Sequence, residues 1–313
     1  MKPLTCFLLP VALALSTATM PLPLPAAAQA ATARGGTQLD TMALRATLDS
    51  IASAHRGVLG YSVLDLGTGM HLSHRGDETF PTASLIKIPI LVTVYDLVER
   101  GELSLADPLT VLRIDKVPGT GVLQHLHDGL SVTVGDAAWL MATISDNTAT
   151  NLLLDRIIIR RVWDKMEALG LWNTKVHSKS FLRSSSVAMD SSIKYGLGVT
   201  TPNEMAQLLA LMARGQAVSP TADSAMLRIL EHGDDYRMLQ RHAGNTRSAR
   251  KTGLGERIRT ECALFYLRTR VVVCALTRDN EDTRWIFDNE PNLALAAIGR
   301  AIVRTWGPPT STR

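Results

Sequence analysis

The chain has 313 residues, 46% of them hydrophobic and 20% charged, with a formal net charge of +4. That is enough apolar content to bury one large core or two small ones. The charge is too small and too scattered to point to nucleic acid. Beyond residue 30 no stretch is long and apolar enough to cross a membrane.

The first 30 residues read apart from the rest. Lys2 precedes the apolar run CFLLPVALAL, and a small-residue site comes after it at Ala28-Gln29-Ala30. This is the pattern of a secretory signal, too short to span a bilayer, with cleavage after Ala30. Cys6 lies too early for a lipid anchor. The mature chain is therefore expected to be exported, to a bacterial periplasm or the outside.

LDTMALRATLDSIASAH has a helical period, and VLGYSVLDL, GTG and MHLSH read as a hairpin. Residues 84–100 have a helical pattern in which Pro89 is awkward outside a first turn. SVTVGDAAWLMATI reads as a helix capped by Thr133 or Asp136. NTATNLLLDRIIIRRVWDKMEALG reads as one helix ending at Gly170. Its basic stretch is a solvated face supported by pairs such as Arg160 with Asp164. Residues 173–200 are polar, Ser-rich and without a clear period. TPNEMAQLLALMARG is a helix with Thr201 as cap and Pro202 at its first position. RTECALFYL and RVVVCALT read as adjacent strands. They carry Cys262 and Cys274, which are either a cross-strand disulfide or two buried free thiols. NLALAAIGRAIVRTW closes the chain as a helix. Strands at both ends and helices between them fit an α+β fold, an antiparallel sheet built from both termini with a helical insertion. The expected divisions are a signal at 1–30, a discontinuous sheet domain at 31–76 and 234–313, and an all-helical domain at 77–233.

The segment TASLIKIPI, residues 82–90, carries a lysine in an apolar run, where lysine is rare unless paired. Lys87 lies three residues after Ser84, on one face if the segment is helical. A serine hydroxyl is a weak nucleophile that needs an adjacent base, and a desolvated lysine can supply one. Ser-x-x-Lys also occurs at Ser191–Lys194 and Ser248–Lys251, so the spacing alone says little. Ser84 is distinguished by two further motifs downstream of it, Ser145-Asp146-Asn147 and then Lys251-Thr252-Gly253 at the start of the strand region.

With these three motifs, and with VPGTGVLQHL and VTTPNEMAQLL around them, the chain resembles the penicillin-recognising serine hydrolases, most closely the class A β-lactamases. The resemblance runs over nearly the whole mature chain. It implies a β-lactamase/DD-peptidase-like fold, a sheet flanked by helices plus an all-helical domain, with the site between them. It implies Ser84 as nucleophile, Lys87 as its proton acceptor, Ser145 as the relay to the leaving nitrogen, and Lys251 as the positive charge near Ser145 and the substrate carboxylate. Asn147, Thr252, Gly253 and Leu254 would bind substrate, with the N–H groups of Ser84 and Leu254 forming an oxyanion hole. No cofactor or metal is implied, and His125 and His127 read as ordinary loop histidines. Asp146 is expected to brace its own loop. The partner would be a small β-lactam or a D-alanyl peptide, acted on by a monomer. A DD-peptidase acting on peptidoglycan peptides and a non-hydrolytic β-lactam binder remain alternatives.

The loop between the second and third motifs departs from the resemblance. Class A enzymes carry Glu-x-x-Leu-Asn there, and its glutamate activates the deacylating water. The corresponding window, residues 181–185, reads FLRSS. Asp190 is the only carboxylate of that loop and is offset, while Glu167 and Glu204 belong to the neighbouring helices. Deacylation is expected to be slow. The family's carboxylate-binding arginine is also displaced: its strand position reads Thr260, with Arg259 and Arg278 as candidates.

Overall fold

The computed structural model describes residues 40–307; the signal read at residues 1–30 lies outside them. In chain order the elements are α1 (Thr41–Ala54), β1 (Val58–Asp65), β2 (His71–His74), β3 (Phe80–Pro81), α2 (Lys87–Glu99), β4 (Pro108–Val111), β5 (Leu130–Thr133), α3 (Val134–Thr143), α4 (Asn147–Ile157) and α5 (Ile159–Ala168). After these come β6 (Lys175–Val176), α6 (Met189–Tyr195), β7 (Gly198–Thr200), α7 (Pro202–Ala213), α8 (Pro220–Leu230), β8 (Ser248–Gly255), β9 (Ile258–Tyr266), β10 (Arg270–Arg278) and α9 (Glu290–Trp306).

Strands from both ends of the described chain form one antiparallel sheet in the order β2-β1-β10-β9-β8. Its central strands are covered on both faces, which is why CALF and VVVCAL are continuous apolar runs rather than alternating ones. On one face, Val63, Phe265 and Val273 pack with Leu48 of α1 and with Ile298, Ile302 and Trp306 of α9. On the other, Leu264, Val272 and Leu276 join Leu91, Met141, Leu153 and Leu209 of the helical elements. Truncating any of these buried leucines to alanine would cost about 2–5 kcal/mol. The register sets Cys262 directly opposite Cys274, and the two form a disulfide.

The sequence signals for helix ends hold where local chemistry sets them. Thr201 Oγ1 accepts from Glu204 N at 3.1 Å with Pro202 at the first helical position. Thr133 and Asp136 are both used, as a reciprocal capping box. Pro89 falls in the first turn of α2, because residues 83–86 form a separate 3-10 turn ahead of it. The single helix expected over 147–170 is two. Ile158 takes φ +68° and the axis breaks there. Three successive isoleucines cannot share one helix face; Ile157 and Ile159 are buried and Ile158 stays exposed. Arg160 stacks over Trp163 instead of pairing with Asp164, while Arg161 bonds Glu102 and Lys165 bonds Asp96. Helix α8, capped by Ser219, was not read from the sequence.

Candidate active site

Strand β3 delivers the chain into Thr82-Ala83-Ser84. Thr82 O accepts from Leu85 N at 3.1 Å and from Thr260 Oγ1 at 2.9 Å, which ties this turn to β9. Strand β8 lies so close that a Cβ on Gly253 would sit 2.4 Å from Thr82 O and 2.9 Å from Leu85 N. Only glycine permits that approach. Ala83, Ser145 and Phe181 are three of the six non-glycine residues with positive φ among those described. All three line one cavity of about 570 Å³. Backbone strain concentrates where the surroundings over-determine the chain, commonly at functional sites.

The same cavity is lined by Ser84, Ser145, Asn147, Lys251, Thr252 and Leu254. Lys87 lies beneath them, 1% exposed. Its Nζ donates to Ser145 O at 2.7 Å, Ser145 Oγ at 3.0 Å and Asn147 Oδ1 at 2.8 Å. Among the described residues it makes no hydrogen bond to Ser84. Lys251 Nζ donates to Ser145 Oγ at 3.0 Å and to Thr252 O at 3.0 Å. The three motifs, far apart in sequence, thus converge on one serine hydroxyl held between two ammonium groups.

Burial pushes the Lys87 ammonium well below its ordinary range, the Lys251 charge pushes it further, and Asp146 pulls the other way. Burial also lowers Lys251, to about 8, against Asp235, Asp234 and Glu261, which favour its charged form. Two facing ammonium groups repel, so one of them loses its proton readily. Three acceptors saturate a protonated lysine. If Lys87 releases a proton, its lone pair needs a donor. Neither Ser145 O nor Asn147 Oδ1 can donate, but a serine hydroxyl can. Ser145 Oγ, accepting from both lysines, keeps its own hydrogen for a third partner.

Asp146 caps α4 through Ala149 N at 2.9 Å, and its other oxygen holds Val122 N at 2.7 Å and Leu123 N at 2.9 Å. It braces the loop that carries Gly119 and Thr120 into the cavity. On the opposite loop, Asn151 bonds both Ser180 N at 2.7 Å and Ser180 O at 3.0 Å. This sets Phe181 into the cavity wall.

Other sequence candidates lie elsewhere. Ser248 is buried and bonded to Gln240, and Ser191 lies on α6 outside the cavity lining. Asp190 is exposed on α6. Glu167 pairs with Lys175, and Glu204 accepts from Asn173 and Thr174. His125 and His127 are exposed. Arg278 pairs with Glu78 and Asp279 beside a separate cavity. Arg259 is 1% exposed, and its Nη1 is held by the carbonyls of Gly255 and Ile258. The cations that do line the cavity beside Lys251 are Arg237 and Arg250, both missed from the sequence. So were Tyr236, Trp285 and Phe287, which line it too. None belongs to a motif, and only tertiary packing brings residues 233–237 and 285–287 together.

A family model described as the beta-lactamase enzyme family matches residues 43–306. The chain belongs to that family. As a β-lactamase family member it is 31% identical to the β-lactamase of Sphaerobacter thermophilus, whose structure superposes with a TM-score of 0.76 over 87% of this chain and all of that one. A solved ancestral class A β-lactamase is 26% identical, with a TM-score of 0.73 over 83% of this chain and 99% of that one. A β-lactamase of Rhodobacter capsulatus is 27% identical over 199 residues, which is 61% of this chain and 64% of that protein. The match therefore spans less than two thirds of that curated relative.

Proposed function

We propose that this β-lactamase family member is a serine acyl hydrolase of the class A type, acylated by β-lactams at Ser84 and slow to release the product. The observation that carries this is the pair of lysine Nζ atoms, each 3.0 Å from Ser145 Oγ, in the cavity that Ser84 lines. Ser84 Oγ attacks the lactam carbonyl and forms the ester as the ring C–N bond breaks. Lys87, neutral, takes the Ser84 proton; Ser145 delivers a proton to the departing ring nitrogen and is resupplied from the lysines. The N–H groups of Ser84 and of Leu254, on the edge strand β8, stabilise the oxyanion. Thr252 and Lys251, aided by Arg237, bind the substrate carboxylate. Asn147 holds the acyl side-chain amide.

Release needs a base on the loop side. The loop residues that reach the cavity are Ser180, Phe181 and Leu197, and none can accept a water proton at neutral pH. A positioned base is worth about 10²–10⁴-fold, so the acyl-enzyme accumulates. That same gap supports the second reading, a penicillin-binding protein-like enzyme acting on D-alanyl peptides. Export to an oxidising compartment is supported by the residue 1–30 pattern and by the Cys262–Cys274 disulfide.

Labelling by a fluorescent penicillin tests this. Wild type, Ser191→Ala and Ser248→Ala should label with one equivalent, and Ser84→Ala should not. A labelled peptide containing Ser191 or Ser248 would refute the assignment.

A further inference from the structure

Three large aromatic side chains line the cavity that Ser84 lines and stay exposed: Tyr236, Trp285 and Phe287, at 54%, 63% and 53%. Each rests on an arginine. Arg250 Cζ lies 4.2 Å from the Tyr236 ring centroid, Arg259 Cζ 5.0 Å from that of Trp285, and Arg241 Cζ 4.7 Å from that of Phe287. Arg250 and Arg259 are themselves buried, at 3% and 1%. They are fixed by backbone carbonyls: Arg250 by Asp235 and Gly233, Arg259 by Gly255 and Ile258. A ring stacked this way on a fixed cation has one face occupied and the other open.

The loop that carries two of these rings is cross-braced by its own hydrogen bonds. Asp282 accepts from Arg284 N at 3.2 Å, Arg284 Nε at 2.8 Å, Arg284 Nη2 at 2.7 Å and Glu290 N at 2.9 Å. Asn289 Nδ2 donates to Arg284 O at 2.7 Å, and Asn292 Nδ2 donates to Phe287 O at 3.0 Å. Ordering residues 284–287 before any ligand arrives lowers the entropy cost of binding. The rings line the same cavity as Lys251 and Arg237, so apolar surface and positive charge face a ligand together.

Resting on the acylation reading above, we infer that these rings form a subsite for a planar aromatic group carried next to the substrate's carboxylate. The preferred substrates are bicyclic β-lactams whose carboxylate-bearing ring has an aryl or heteroaryl substituent. A substrate with a small alkyl group there would leave the open ring faces in water. Stacking on aromatic side chains adds roughly 2–10-fold per ring.

Two cephalosporins with the same acyl side chain test it, one with a methyl and one with an aryl-vinyl group on the carboxylate-bearing ring. The second-order rate of Ser84 acylation is followed by mass, each divided by the compound's own hydroxide hydrolysis rate. The aryl compound should lead by about tenfold in wild type. That ratio should fall to near one in Trp285→Ala/Phe287→Ala and be largely retained in Trp285→Phe/Phe287→Tyr. A ratio near one in wild type, or equal losses for both compounds in the alanine variant, overturns the subsite and leaves the acylation reading standing. A dimer broken by the alanine variant, with no change in ratio, would make the rings a contact between copies instead. No acylation by either compound overturns the acylation reading and the subsite with it.

Discussion

The two walls that face each other across Ser84 are built to different standards. On the motif side, two buried lysines, a serine and an asparagine exchange hydrogen bonds of 2.8–3.0 Å. On the loop side the corresponding place is taken by Phe181, at φ +58° and 64% exposed. The loop is firmly held, since Asn151 clamps Ser180 and Ser185 Oγ both accepts from Lys179 N and donates to Leu182 O. Its one carboxylate, Asp190, lies on α6 and does not line the cavity. On the function proposed above, the side chains for attack line this cavity together, whereas no carboxylate from the loop reaches it to activate a water.

The largest effect should come from the motif side. Lys87→Ala should slow acylation by about 10²–10⁴-fold, the usual worth of a positioned base, and change reversible binding little. Stopped-flow acylation separates the two, and weaker binding with an unchanged acylation rate would make Lys87 a mere binding charge. Gly253 comes next. Gly253→Ala forces a Cβ onto Thr82 O, and because that atom is backbone the nucleophile turn must shift. Displacing it by a fraction of an ångström should cost about 10²-fold in acylation.

On the loop side the expected effect is a gain. A glutamate placed within residues 181–185, as in Phe181→Glu or Ser185→Glu, should raise the slow phase of cephalosporin turnover by about 10-fold or more. Asp190→Asn should leave both phases unchanged. Loss of turnover in Asp190→Asn would show that the loop has its base after all. The smallest effect is in pH. In the proposed mechanism, acylation uses Lys87 neutral and Lys251 charged. The rate should rise as pH climbs through the lowered range of Lys87 and fall again as Lys251 deprotonates near 8. Because the two groups interact, the limbs belong to the pair. Lys251→Arg should move the alkaline limb upward, since a guanidinium keeps its charge; an unmoved limb would exclude Lys251 as its source.

Much of this was legible in the sequence because local chemistry carried it. Thr201-Pro202 and Thr133-x-x-Asp136 start helices by satisfying their own N–H groups. Motif order singled out Ser84, and the structure gathers its predicted partners around one cavity. The break at Ile158 escaped because no glycine or proline marks it; burial of Ile157 and Ile159 decides it. The Cys262–Cys274 bond could not be chosen over free thiols until the register of β9 and β10 was known. Arg237 and Trp285 reach the cavity through loops whose neighbours are set by tertiary packing, which no spacing rule records.

The contrast between the walls reduces to the lifetime of one ester. Purified protein is exposed briefly to a penicillin, the excess is removed, and intact mass is followed over time with mapping of the adduct. The expected result is one adduct per chain on the Ser84 peptide, formed rapidly and persisting long after acylation is complete. Rapid consumption of penicillin with no adduct visible at any time would contradict it, and would mean that an efficient deacylating base exists despite Phe181.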